Sequence, residues 1–161
     1  MRPCLPSLLL AALLAAPAHA QTCKPAPLPF LPDLFPESVK GLPKEFSVAP
    51  GSGCMALYRP TDPGRRESEP WAVLSIEPNA KPATGASAHE ASSTLLHGGS
   101  QIITVSGWPV GFAVRPKGDE YVALKGSLKI TVLVKNGDQG EASQALALPF
   151  FQAILPTIPC G

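Results

Sequence analysis

The chain has 161 residues, with 13 Lys+Arg against 12 Asp+Glu for a formal net charge of +1. Charged residues are only 16% of the total, and prolines number 20. This length supports one domain with tails. The near-zero charge offers no electrostatic footprint for nucleic acid and no polybasic membrane surface.

Residues 1–20, MRPCLPSLLLAALLAAPAHA, read as a secretory signal peptide. Arg2 is the positive start, Leu8–Ala16 the apolar run, and Ala18-His19-Ala20 a small-x-small cleavage site. The run is too short for a membrane anchor, which needs about 20 apolar residues. No Leu-x-x-Cys pattern marks a lipid anchor, since Cys23 follows Ala20-Gln21-Thr22. The expected product is periplasmic or secreted, begins at Gln21 and makes no stable membrane insertion. Export permits disulfides. Cys4 leaves with the signal, so Cys23, Cys54 and Cys160 remain. A Cys23–Cys160 bridge would close nearly the whole domain, worth at most about 4–5 kcal/mol by the chain-entropy model. Pairing of Cys54 with either tail stays open. A reactive thiol is the weaker reading, because no Cys-x-x-Cys exists and no histidine is near in sequence.

Residues 21–44 form a proline-rich arm, with six prolines in 24–44. Proline lacks the N–H donor and fixes φ, which excludes helix and central strand here. The apolar Leu34, Phe35, Val39 and Leu42 predict an arm laid across the domain from about Leu34. Covering a sheet edge or core is a simpler role for it than a docking peptide. A single domain is expected over 45–156, with a tail at 157–161 carrying Cys160.

Within that domain Glu45–Val48 predicts a short strand. Cys54–Arg59 alternates, with Met55 and Leu57 on one face and Cys54, Ala56 and Tyr58 on the other. Pro60–Pro70 is a charged loop. Trp71–Glu77, apolar on both faces, predicts a central strand. Ala83–His97 changes to helical spacing and ends at Gly98-Gly99. Gln101–Ser106 and Val110–Arg115 are strand-like, and Gly107-Trp108-Pro109 between them is a bulge or turn. Glu120–Lys125 and Leu128–Lys135 predict two strands broken at Gly126-Ser127. Glu141–Leu155 predicts two helical pieces meeting at a kink at Pro149, which can start a turn but sits poorly inside one.

The expected fold is therefore α+β, a mostly antiparallel sheet of about five or six strands with two helices packed on one face. This order, strands-helix-strands-helix, resembles small exported domains of the Mog1/PsbP-like group. The resemblance is one of element order and implies no activity.

Chemical motifs are sparse. His89 and His97 are eight residues apart, about 80° around and ~12 Å along a helix, and cannot share an ion there. No metal site and no cofactor are expected. There is no Gly-x-Ser-x-Gly elbow and no glycine-rich phosphate loop. The remaining candidates are aromatic. Trp108, Phe112, Tyr58 and Tyr121 lie in or beside strands and could form a contact patch, with Trp108 at its rim, whereas Trp71 reads as core. The expected function is an exported, non-enzymatic protein that binds a protein partner or envelope component through one sheet face or the 60–70 loop, of inhibitor or immunity type in its narrower form. The alternatives are a small envelope hydrolase with His97 as base and a structural accessory domain.

Overall fold

The computed structural model describes residues 29–85, 101–135 and 141–160. A 3-10 helix at Leu31–Leu34 leads into strands β1 (Ser38–Val39), β2 (Leu42–Val48), β3 (Cys54–Tyr58), β4 (Trp71–Ala83), β5 (Gln101–Val105), β6 (Trp108–Ala113) and β7 (Asp119–Lys135). Helix α1 (Glu141–Ile154) and a short 3-10 helix at Leu155–Thr157 follow. The strands form one seven-stranded sheet in the order β1-β2-β3-β4-β7-β6-β5, with neighbouring strands antiparallel throughout.

Two hairpins turn on residue pairs with positive φ. Lys40 (φ 49°) and Gly41 (φ 81°) join β1 to β2, and Ser106 (φ 51°) and Gly107 (φ 76°) join β5 to β6. Positive φ at both central residues is the type I′ turn, whose twist matches that of the flanking strands. The first hairpin forms inside the stretch predicted as an extended arm. Pro43 is tolerated there because it falls near the start of β2. Leu31, Phe35, Val39 and Leu42 are all buried in the common core.

The longest strand doubles back. Seventeen residues in a straight line would span about 56 Å. Yet Gly118, next to the start of β7, lies against the Val134 carbonyl near its end. Lys135 Nζ also donates to the Lys117 carbonyl. The reversal falls at Gly126 (φ 55°), where the Gly126-Ser127 break is predicted. Both arms point alternate residues at the helix. Tyr121 Oη bonds Ser143 Oγ at 3.1 Å and Lys125 Nζ donates to the Leu155 carbonyl at 2.6 Å, while Leu128, Ile130, Val132 and Val134 are buried.

The core lies between this sheet face and α1. Cross-strand rows Tyr58–Ala72–Val134, Ala56–Leu74–Val132 and Cys54–Ile76–Ile130 face inward. Leu146, Ala147, Phe150, Phe151 and Ile154 of α1 are buried with them. Each large side chain so buried contributes roughly 1.5–3 kcal/mol.

The expected fold class needs correction. The sheet has seven strands rather than five or six, and the described residues hold a single α-helix rather than two. Ala83, a possible start of the first predicted helix, is the last residue of β4 and pairs with Gly126. Thr84 and Gly85 are described and are not helical, and residues 86–97, with His89 and His97, lie outside the described residues. The strands-helix-strands-helix order, and with it the Mog1/PsbP-like likeness, does not fit the described residues, which are mostly β.

The kink at Pro149 does not divide the last helix either. Proline at 149 removes the N–H that would bond the carbonyl four residues back, at Ala145. Lys40 Nζ donates to that same carbonyl at 2.9 Å. The β1–β2 turn thus supplies from outside the donor that the helix lacks. Lys40→Met should cost roughly 0.5–1.5 kcal/mol in the native background. In a Pro149→Ala background the cost should nearly vanish, because an alanine at that position brings its own amide. Urea midpoints of the four proteins measure this; equal costs in both backgrounds would refute the pairing.

Candidate functional site

The four aromatic candidates do not form a contact patch, because all are buried on the helix side of the sheet. Tyr58 donates its hydroxyl to the Pro36 carbonyl at 2.8 Å and meets Phe150 edge-to-face at 4.9 Å. Phe112 stacks on Tyr121 at 5.4 Å. Trp108 is not at a rim. It follows the Ser106-Gly107 turn as the first residue of β6, points inward, and donates Nε1–H to the Leu124 carbonyl. Lys125 Nζ stands 5.7 Å from its ring centroid. Trp71, read as core, is half-buried and pairs with Lys135 in the opposite row.

Burial gives these groups a pH signature. It pushes the Tyr58 phenol far above its ordinary range, with Glu37 adding to the effect. Tyr121 is raised first by burial, against the opposing Ser143 hydrogen bond. A phenol raised in the folded state contributes stability that is complete below the unfolded value, about 10, and is lost as pH rises beyond it. Lys125 has the opposite sign: burial lowers its pKa, so alkali relieves it. The two tyrosines should dominate. Urea midpoints should fall steeply above about pH 10, and Tyr58→Phe should flatten that fall. An unchanged slope in the variant would remove this assignment.

The charged loop pairs its charges locally. Arg65 bonds Glu69, and Asp62 Oδ1 accepts from the Gly64 amide at 2.9 Å. Arg59 pairs with Glu45, and Arg66 Nη2 lies 3.6 Å from the same carboxylate. Arg59 holds the Glu45 carboxyl below its usual range. Both arginines of the loop are thus held by carboxylates.

Cys54 is buried and free. It lines a cavity of about 100 Å3 with Pro32, Phe35, Ser47, Val48 and Ala49. Cys160 is disulfide-bonded, so neither is a free surface thiol. Cys23 lies outside the described residues. Among the described residues no three His, Cys, Asp or Glu side chains gather where they could hold a metal ion, and no helix is long and apolar enough to cross a membrane.

What remains is the sheet face turned away from α1. One row runs Phe46–Leu57–Val73–Leu133 across four strands, and the next runs Val48–Met55–Ser75–Thr131. Phe46, Val48 and Met55 are 48%, 46% and 36% exposed, whereas Leu57, Val73 and Leu133 are half-buried by their neighbours. Ion pairs frame the rows. Lys129 Nζ meets Glu77 at 3.0 Å at one end, and Arg59 meets Glu45 at the other. A contiguous apolar patch framed by polar groups is the usual mark of an interaction surface. Sequence held half of the signal, since Met55 and Leu57 alternate away from Cys54, Ala56 and Tyr58. Phe46 and Val48 join them only through the register of β2 on β3.

Comparison with known protein families, curated proteins and solved structures gave no match.

Proposed function

We propose that the protein is an exported, non-enzymatic binding protein, acting in the periplasm or outside the cell, whose outer sheet face docks on an apolar surface of a protein partner or envelope component. The outward-facing Phe46–Leu57–Val73–Leu133 row carries this reading. Its side chains present apolar area framed by charges that already pair with one another, which suits contact more than chemistry. The layout of residues 1–20 supports export, and a Cys23–Cys160 bridge fits the oxidising destination.

A Phe46→Asp/Met55→Asp variant tests the face. Both side chains are exposed, so its urea midpoint should stay close to the parent's. Cross-linking in the envelope should give an adduct for the parent that the variant loses. A variant that keeps the same adduct would exclude this face. Intact mass of the recovered protein should correspond to residues 21–161, less two hydrogen atoms for one disulfide.

A further inference from the structure

The patch extends to an open strand edge. Among the described residues the outer side of β2 is covered only at its start, where Ser38 pairs with Pro43, Val39 with Leu42, and the Lys44 amide with the Glu37 carbonyl at 2.8 Å. Beyond that point no described residue pairs with the outer edge of Glu45–Val48. Every residue from Glu45 to Pro50 is exposed, the inward-pointing Ser47 included. Folded proteins usually blunt such an edge with a charge, a proline or a bulge. Here Pro43, Lys44 and the bulge between Lys44 and Phe46 protect the first half of β2. The run Phe46-Ser47-Val48 has no such guard.

We infer that a second copy of this chain pairs with this edge, antiparallel, about a twofold axis through Ser47. The run is self-complementary about its central residue. In that register Ser47 faces Ser47 of the second copy, and Phe46 lies beside Val48 of the second copy on the outer face. Apolar cross-strand pairs of this kind stabilise a ladder. The β1–β2 turn stands beyond the paired stretch and stops the strands from sliding further. A net charge of +1 on the whole chain leaves little repulsion between copies. A twofold contact of one edge with itself closes at two copies and does not propagate. The product is a continuous sheet in which both apolar faces lie on the same side. The inference rests on the edge alone and not on the envelope partner.

Three residues a side fall well short of the roughly 800 Å2 per partner of a standard interface, so the dimer is a weak one. Sedimentation of the exported chain from about 5 to about 500 µM should show the mass rising toward twice the monomer. Phe46→Lys/Val48→Lys, which sets like charges against each other, should remain monomeric throughout. Mild oxidation should cross-link Ser47→Cys into a dimer and leave Ser75→Cys, in the central strand, uncross-linked. A parent that stays monomeric at the highest concentration overturns the inference, as does a Lys/Lys variant that still dimerises. A dimer cross-linked through Ser75→Cys instead would mean face-to-face stacking and also overturns it. A monomer that keeps its envelope adduct removes only the dimer, whereas a dimer without an adduct removes only the binding reading.

Discussion

Gly118→Ala should lower the stability by about 2–5 kcal/mol, enough to leave a marginal protein substantially unfolded. Gly118 has φ 125°, a conformation that side-chain-bearing residues rarely adopt. A methyl group there would overlap the Val134 carbonyl oxygen and lie 2.9 Å from Lys135 Cδ. The lysine can swing aside. The carbonyl cannot, because Val134 pairs with Ala72 in the middle of the sheet. Relief would require the two ends of β7 to separate. Gly41→Ala is the matched control, with φ 81° and nothing within 4 Å of the added carbon. It should cost only the backbone strain, roughly 1–2 kcal/mol. Urea unfolding of both variants measures the difference. Equal costs would show that the start and end of β7 do not lie side by side.

Phe150→Ala should cost about 3–5 kcal/mol through lost burial and the cavity left behind. Phe150 is fully buried. Its ring supports that of Tyr58 at 78°, and the Tyr58 hydroxyl holds the Pro36 carbonyl. The ring thus stands behind the anchorage of the segment leading into β1 as well as the helix. Phe30→Ala, at a side chain 70% exposed, should change stability by less than about 0.5 kcal/mol. Thermal unfolding of the two variants makes the comparison. A Phe150→Ala protein within about 1 kcal/mol of the parent would mean that α1 does not seal this face.

Local patterns were a good guide wherever a local rule decided the outcome. The double-sided apolar run at Trp71 is central in the sheet, and the Gly126-Ser127 break is where β7 reverses. Helix near the C-terminus falls over the expected span, Glu141–Ile154, though as one piece and not the two expected. The failures have non-local causes. Pro149 reads as a helix break because the donor that replaces its missing amide is Lys40, far earlier in the chain. The proline content of residues 24–44 hides a hairpin, because what counts is where each proline falls relative to the strand. Trp108 reads as a rim residue between Gly107 and Pro109, yet the hand of the preceding turn aims it inward. The candidate face was half legible, in the alternation of Met55 and Leu57. Whether an alternating strand shows its outer side to water depends on which side the helix takes, and no strand carries that information in its own residues.

The sheet order separates the chain into two blocks of neighbours. β1 to β4 lie side by side in the order of synthesis, as do β5, β6 and the first arm of β7. Each block closes through connections between adjacent segments, the longest being Arg59–Pro70, at a low cost in loop entropy. Only the seam between β4 and the second arm of β7 joins them, and it pairs residues as far apart as Trp71 and Lys135. Folding speed should therefore be governed by that one late, long-range closure, with both blocks already partly organised when they meet.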